Sequence, residues 1–219
     1  MTIKEAISAR HMVRTYTDKP IPDDIVIKLN ERIALMNDAH GVQMKLITGE
    51  NAPVWGLMRL MGAKGTRNYL LLGSPAIPDA KEKLGYCGID IALYAQTLGL
   101  NSWWISGTFS KGDVKEQSGT AVQAGILVLG YGATQGVPHK SKLPEDVSSY
   151  EGNSPEWFRE GVKAALFAPT ANNKQAFFLK GSGEEVHIDC NNSIFTDIDR
   201  GIVKYHFEAG AGKDNFVWV

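Results

Sequence analysis

Apolar positions along this chain recur with two rhythms, one helical and one strand-like. Over residues 21–36 they fall at Ile25, Leu29, Ile33 and Met36, with Pro22, Asp23 and Asp24 supplying a helix start. Residues 42–47 and 68–72 are short strand patterns, the second closed by Gly73-Ser74-Pro75. Between them, residues 51–60 read as a loop with a short helix. A helix is predicted over 86–98, apolar at Ile89, Leu93 and Leu98 and stopped by Gly99. Strands follow at 103–105 and 126–129. Residues 130–152, rich in Gly, Pro, Lys and Ser, are predicted to be loop and linker. The pattern then restarts. Ser154 as N-cap and Pro155 in the first turn lead a helix carrying Trp157, Phe158, Val162 and Leu166 on one side. A turn at Ala168-Pro169-Thr170 precedes a strand at 176–180, with 185–188 as its hairpin partner. A last helix over 197–209 and a terminal strand at 216–219 complete the pattern.

The order of helix, turn, strand, strand and long helix thus occurs twice. At one common offset Gln43 stands opposite Gln175, Ala39 opposite Ala171 and Gly49 opposite Gly181. This argues for an internal duplication.

Composition narrows the class. Of 219 residues, 43% are hydrophobic and 21% charged, the balance of a globular chain rather than a disordered one. The net charge of −1 gives no electrostatic case for nucleic acid or an anionic membrane surface. No apolar run approaches the ~20 residues of a membrane span. Residues 1–14 are mixed polar, without a signal-peptide core, so a soluble cytoplasmic protein is expected. Cys87 and Cys190 form no CxxC pair, and the five histidines lack ligand spacing, so no metal site is predicted. HExxH, GxSxG and P-loop patterns are absent. Gly210-Ala211-Gly212-Lys213 and Gly130-Tyr131-Gly132 with Gly136 read as turns.

Three segments hold candidate chemistry. Arg10 and Arg14, four apart in Arg10-His11-Met12-Val13-Arg14-Thr15-Tyr16, would share one face of a short helix and suit a phosphate or anionic ring. Ala168-Pro169-Thr170-Ala171-Asn172-Asn173-Lys174-Gln175 offers side-chain amides to the polar edge of a planar ring. Gly99-Leu100-Asn101-Ser102-Trp103-Trp104-Ile105-Ser106-Gly107 runs from a helix end through a strand to a small-residue loop.

Together these segments resemble the FMN-dependent nitroreductase family. The first is similar to its Arg-Arg-Ser-x-Arg-x-Phe/Tyr signature, with His11 and Met12 in place of Arg and Ser. The second is similar to Ala-Pro-Ser-Ala-x-Asn-x-Gln, and the third to Gly-Leu-Gly-Thr-x-Trp-Ile-Gly-Gly. Asp199-Arg200-Gly201-Ile202 looks like the Asp-x-Gly-Ile-Ala helix. The order differs, because the Ala-Pro segment comes after the Trp-Trp strand. That arrangement resembles a smaller branch in which one chain carries two half-like repeats.

The resemblance implies an α+β fold of mixed, mainly antiparallel sheets flanked by helices, in two pseudo-symmetric halves, 1–150 and 151–219, with FMN between them. It implies cofactor contacts from Arg10, His11, Met12 and Arg14, from Trp104, Ile105, Ser106 and Gly107, and from Lys140 and Lys142 in a basic stretch. Pro169, Thr170 and Ala171 would lie along the ring, with Asn173 and Gln175 on its polar edge. Tyr16, Trp55, Trp103 and Phe177 are aromatic candidates for the substrate face. The implied activity is NAD(P)H-driven, ping-pong reduction of nitroaromatic, quinone or similar planar acceptors. Its chemistry is flavin-borne, so no catalytic side chain is expected. The alternative is a flavin- or small-ligand-binding protein of the same fold. The fused halves imply one flavin per chain, in a monomer acting as a pseudo-dimer or in a homodimer.

Overall fold

The computed structural model describes residues 1–56, 62–191 and 194–219. The short helix expected within 51–60 lies partly outside the described residues.

The first sheet comprises β1 (Lys45–Ile47), β2 (Tyr69–Ser74), β3 (Asn101–Ile105) and β4 (Val122–Gly130). Its order is β1-β2-β4-β3, antiparallel throughout. Side chains alternate along each strand. Leu70, Leu72, Leu127 and Leu129 enter the main core, while Tyr69, Leu71, Ile126 and Val128 enter a smaller core on the opposite face. With both faces covered, the centres of β2 and β4 are continuously apolar, at residues 69–72 and 126–129. Helices α2 (Asp23–His40) and α3 (Ala80–Thr97) pack into the main core through Leu29, Ile33, Met36 and Ile89. Helix α1 (Ile3–Ala9) opens with a capping box: Glu5 N donates to Thr2 Oγ1 at 3.2 Å, and Thr2 N to the Glu5 carboxylate at 2.7 Å. Helix α4 (Lys111–Ser118) is capped by the Ser110 hydroxyl.

The second sheet is β5 (Ser148–Tyr150), β6 (Phe177–Ser182), β7 (Glu185–Cys190) and β8 (Val217–Trp218), in that order. The β6–β7 hairpin is antiparallel and both outer pairs are parallel. Helices α5 (Pro144–Val147), α6 (Glu156–Ala165) and α7 (Thr196–Ala211) accompany it. Trp157 stacks on Phe216 with centroids 5.7 Å apart, and Phe207 meets Phe216 edge-on at 5.0 Å. Helices α3 and α7 lie against each other, joining the two sheets through one core.

Three local expectations differ from the structure. Helix α3 starts at Ala80 rather than Tyr86, because it is buried nearly all round, Gly85, Cys87 and Gly88 included. Such a helix has no single apolar stripe to mark its start. Residues 130–152 are not all linker: α5 and β5 form there. β5 has no periodicity of its own, and its three residues are held by pairing with β6. Ser154 is not a cap, since α6 is preceded by Pro155 without a side-chain cap. The Ser154 carbonyl instead accepts from Arg159.

Candidate functional site

A cavity of about 700 Å³ opens beside β3 and the turn that follows α6, within the range of roughly 300–1,000 Å³ for small-molecule sites. Four stretches wall it. They are Arg10, His11, Met12 and Arg14 after α1, residues 103–108 at the end of β3, Val137 to His139, and the 169–173 turn with Phe195 and Asp199.

The first stretch is extended, not helical as the arginine spacing suggested. Helix α1 ends at Ala9, and Arg10 has φ −74° and ψ 119°. Sheet-like bonds capture the chain beyond it. Met12 bridges to Ser102, Val13 N donates to Ser102 O at 3.2 Å, and Tyr16 N donates to Lys64 O at 2.9 Å. In an extended chain alternate side chains share a side. Arg10, Met12 and Arg14 therefore still meet at the cavity, while Val13 turns into the core.

Arg10 is 8% exposed, and its Nε has no hydrogen-bond partner among the described residues. Burial holds the guanidinium down to about 10, with Tyr16 pulling weakly the other way. A buried cation without an adjacent acid costs stability until an anion meets it. Arg14 lies at the exposed side, 5.9 Å from the Trp103 ring centroid. Burial lowers His11, and Arg10 and His139 lower it further, so its ring is neutral at pH 7. Behind this wall His206 is fully buried. Its Nδ1 lies 2.9 Å from Ile202 O, its Nε2 is unpartnered, and burial pushes it down to about 3.

At the end of β3 the Trp104 indole N–H donates to Ser106 Oγ at 2.7 Å. Gly88 makes room for that indole, since a Cβ there would lie 2.6 Å from the ring.

The 169–173 turn is held in an unusual backbone. Asn172 and Asn173 both have φ 53° and Gln175 has φ 46°. Left-handed conformations of this kind cost about 1–3 kcal/mol each and persist where surroundings over-determine them. The restraints are visible. Gln175 N donates to Thr170 Oγ1 at 2.9 Å and Gln175 Nε2 to Leu166 O at 2.7 Å. Lys142 N donates to Gln175 Oε1 at 2.7 Å, and Lys142 Nζ to Gln175 O at 2.9 Å. Asn173 Nδ2 donates to Lys140 O at 2.7 Å. Ala171 N lies 3.1 Å from each carboxylate oxygen of Asp199. Burial raises Asp199 to about 6 against the pull of that N–H.

The structure thus brings Arg10, His11, Met12 and Arg14 together with Trp104, Ile105, Ser106, Gly107, Pro169, Thr170, Ala171 and Asn173 around one cavity. Lys140, Lys142 and Gln175 stand behind its wall. Gln175 is 1% exposed, and both ends of its amide are taken by Leu166 and Lys142. Among the aromatic candidates Trp103 lines the cavity, Tyr16 and Phe177 are core residues, and Trp55 sits beside it, donating its backbone N–H to Thr108 O. Sequence reasoning missed Asp199, Phe195, His139 and Asn172 as wall residues. Asp199 had a signal, because it lies in the segment that marked α7. A carboxylate in the first turn of a helix is placed to accept a neighbouring backbone N–H.

An α+β fold with antiparallel-rich sheets and this junctional cavity defines a protein of the nitroreductase-like fold class. The chain belongs to the family described as "Putative TM nitroreductase", whose model matches residues 2–211. It is similar in structure to a "putative nitroreductase" of Thermotoga maritima, with TM-score 0.68 and 20% identity over 98% of this chain and 85% of that one. A Desulfovibrio desulfuricans protein described in complex with FMN matches with TM-score 0.53 and 16% identity, over 71% of this chain and 99% of its own. An Exiguobacterium sibiricum protein, also described in complex with FMN, gives TM-score 0.51 and 13% identity over 67% and 95%. At these identities the likeness concerns the fold. No curated protein sequence matches the chain. Among the described residues no helix is long and apolar enough to cross a membrane.

Proposed function

We propose that the chain is an FMN-dependent oxidoreductase that takes electrons from NAD(P)H and passes them to nitroaromatic, quinone or similar planar acceptors in a ping-pong cycle. The observation that carries this reading is Arg10, a buried cation with an unpartnered Nε at the wall of a ligand-sized cavity. It calls for an anion there, and FMN brings a phosphate dianion and a ring edge that becomes negative on reduction. Family membership and the FMN complexes of the two similar proteins support the same choice.

When bound, the flavin would supply the two-electron chemistry itself. The chain's own residues bind and orient it. Arg10 and Arg14 balance negative charge, and His11 adds a neutral hydrogen-bonding ring. Backbone at Ser106 and Gly107 allows close approach. Met12, Ile105 and Pro169 keep water from the reacting face, and Thr170, Ala171 and Asn173 shape the opposite wall, the Ala171 N–H being held by Asp199. Lys140, Lys142 and Gln175 serve as the scaffold of that turn.

Halves 1–150 and 151–219 enter the same proposal, with β5 lent across the border to the second sheet. The counterpart turn at 37–43 is filled by its own side chains. Asn37 is bonded in both directions to the Met44 backbone, and His40 packs 5.2 Å from Tyr86. One flavin per chain follows, with each site completed by a single chain whether or not two copies associate.

The visible spectrum of the purified protein tests this. A yellow preparation releasing one FMN per chain and bleaching anaerobically with NADH or NADPH is expected. A yellow protein inert to both nucleotides would be a flavin binder, and a colourless one unable to take up FMN would overturn the proposal.

A further inference from the structure

We infer that Asp199 donates a proton to the acceptor reduced in this cavity, an inference that rests on the flavin reading above.

Two carboxylates of this chain, Asp90 buried and Asp199 half-buried, make the contrast that suggests it. Asp90 has its oxygens occupied: Arg32 donates from Nε at 2.7 Å and from NH2 at 2.6 Å, and Tyr205 OH donates at 2.7 Å. That is a structural carboxylate. Among the described residues Asp199 receives one donor, the Ala171 N–H, placed 3.1 Å from both oxygens. A carboxylate has about four acceptor positions, so most of its capacity is left over, and the side chain lines the cavity.

Charges around it do not hold it ionised. Arg200, its neighbour on α7, turns to Glu82 at 3.3 Å and Asp197 at 3.6 Å. Cys190 on β7 carries a thiol that burial pushes up to about 11. Arg10, His11, Arg14 and His139 belong to other walls of the cavity. The shift of Asp199 comes from burial, opposed by the Ala171 N–H. The carboxyl thus exchanges a proton near neutrality from a wall the ligand must touch, as general acids do.

The balance is simple for a quinone. Bound reduced flavin would supply the electron pair with one hydrogen, as hydride. The Asp199 O–H bond breaks, an O–H bond forms on the remaining quinone oxygen, and hydroquinone leaves. Solvent water at the cavity mouth then returns a proton to the carboxylate.

The test uses holoprotein reduced anaerobically with dithionite and mixed with a benzoquinone, with flavin reoxidation followed by absorbance across the pH range around neutrality. Wild-type rate should fall as pH rises through the Asp199 transition. Asp199→Asn, which keeps an oxygen for Ala171 N–H, should be about 100-fold slower at the acid end and flat with pH. An Asn variant with the wild-type rate and profile would overturn the inference while leaving the flavin reading intact. A wild-type protein that takes up no FMN would remove both. Should the variant not fold, the carboxyl 13C chemical shifts of the wild-type apoprotein across pH decide. A carboxyl that takes up its proton near pH 6 is expected, and aspartates that all remain ionised there are the overturning result.

Discussion

Gly85 and Gly201 meet where α3 crosses α7, and each faces the carbonyl of the residue three before the other. A Cβ on Gly85 would run into the Ile198 carbonyl, and one on Gly201 into that of Glu82. The contact is reciprocal, so both glycines serve one close approach of the two helices.

Alanine at either glycine should destabilise the fold by about 1–3 kcal/mol, the usual cost of overpacking. The two changes should not add, since whichever Cβ comes first already forces the helices apart. Urea unfolding of both single variants and the double variant checks this. Additive losses would mean that the two positions do not share one constraint.

Arg10→Met separates binding from stability. Removing a buried cation with no acid beside it should leave the ligand-free protein as stable or more so. Flavin affinity should drop by about 10- to 150-fold, matching roughly 1.5–3 kcal/mol for a hydrogen bond to a charged group. Fluorescence titration with FMN and thermal unfolding of the apoprotein together decide it. A variant that loses stability and keeps affinity would move the anion site elsewhere.

Gln175 and Asn172 occupy similar backbone but should respond oppositely. Gln175→Ala strands the Lys142 N–H, costing about 1–3 kcal/mol for a group left unpaired, while the Leu166 carbonyl keeps His139 Nε2 at 3.0 Å and Ser141 Oγ at 3.4 Å. Asn172→Gly keeps the left-handed backbone without a side chain and should stay within about 1 kcal/mol of wild type. Chemical denaturation of the two variants measures the difference.

Much of this site was legible because its sequence features are local. Arg10 and Arg14 were placed together for the wrong reason, a helix, yet an extended chain also puts alternate residues on one side. The 168–175 segment is legible from its amides, and the Gln175 amide turns to Leu166 and Lys142. Which way a side chain turns depends on Leu166 and Lys142, and nothing in the segment itself encodes them. The start of α3 was hidden because a helix buried on all sides has no stripe. Asp199 escaped because its importance arises from burial against Ala171, a contact made only when the chain closes.

Buried His206 and half-buried Asp199 should give stability opposite pH slopes. His206 has its folded pKa pushed down to about 3. Below about 6.5 the unfolded chain takes up the proton first, so stability falls on acidification. Asp199 has its folded pKa raised to about 6. Its contribution is present below the unfolded value near 3.9 and is lost as pH rises through about 6. Between roughly pH 4 and 6 the two slopes oppose, each up to about 1.4 kcal/mol per pH unit. His206→Gln should therefore become more stable relative to wild type as pH falls through this window, and Asp199→Asn less stable relative to wild type. Denaturation midpoints at several pH values read the sign directly, and parallel curves for all three proteins would contradict it.

β5 has a practical consequence for anyone dividing this molecule. A fragment cut just after Tyr150 would leave β6 with a bare, unsatisfied flank, a surface prone to self-association and fibril-like pairing. Complementation of separately expressed pieces should succeed only when the break lies upstream, so that Ser148–Tyr150 travels with the piece it zips onto.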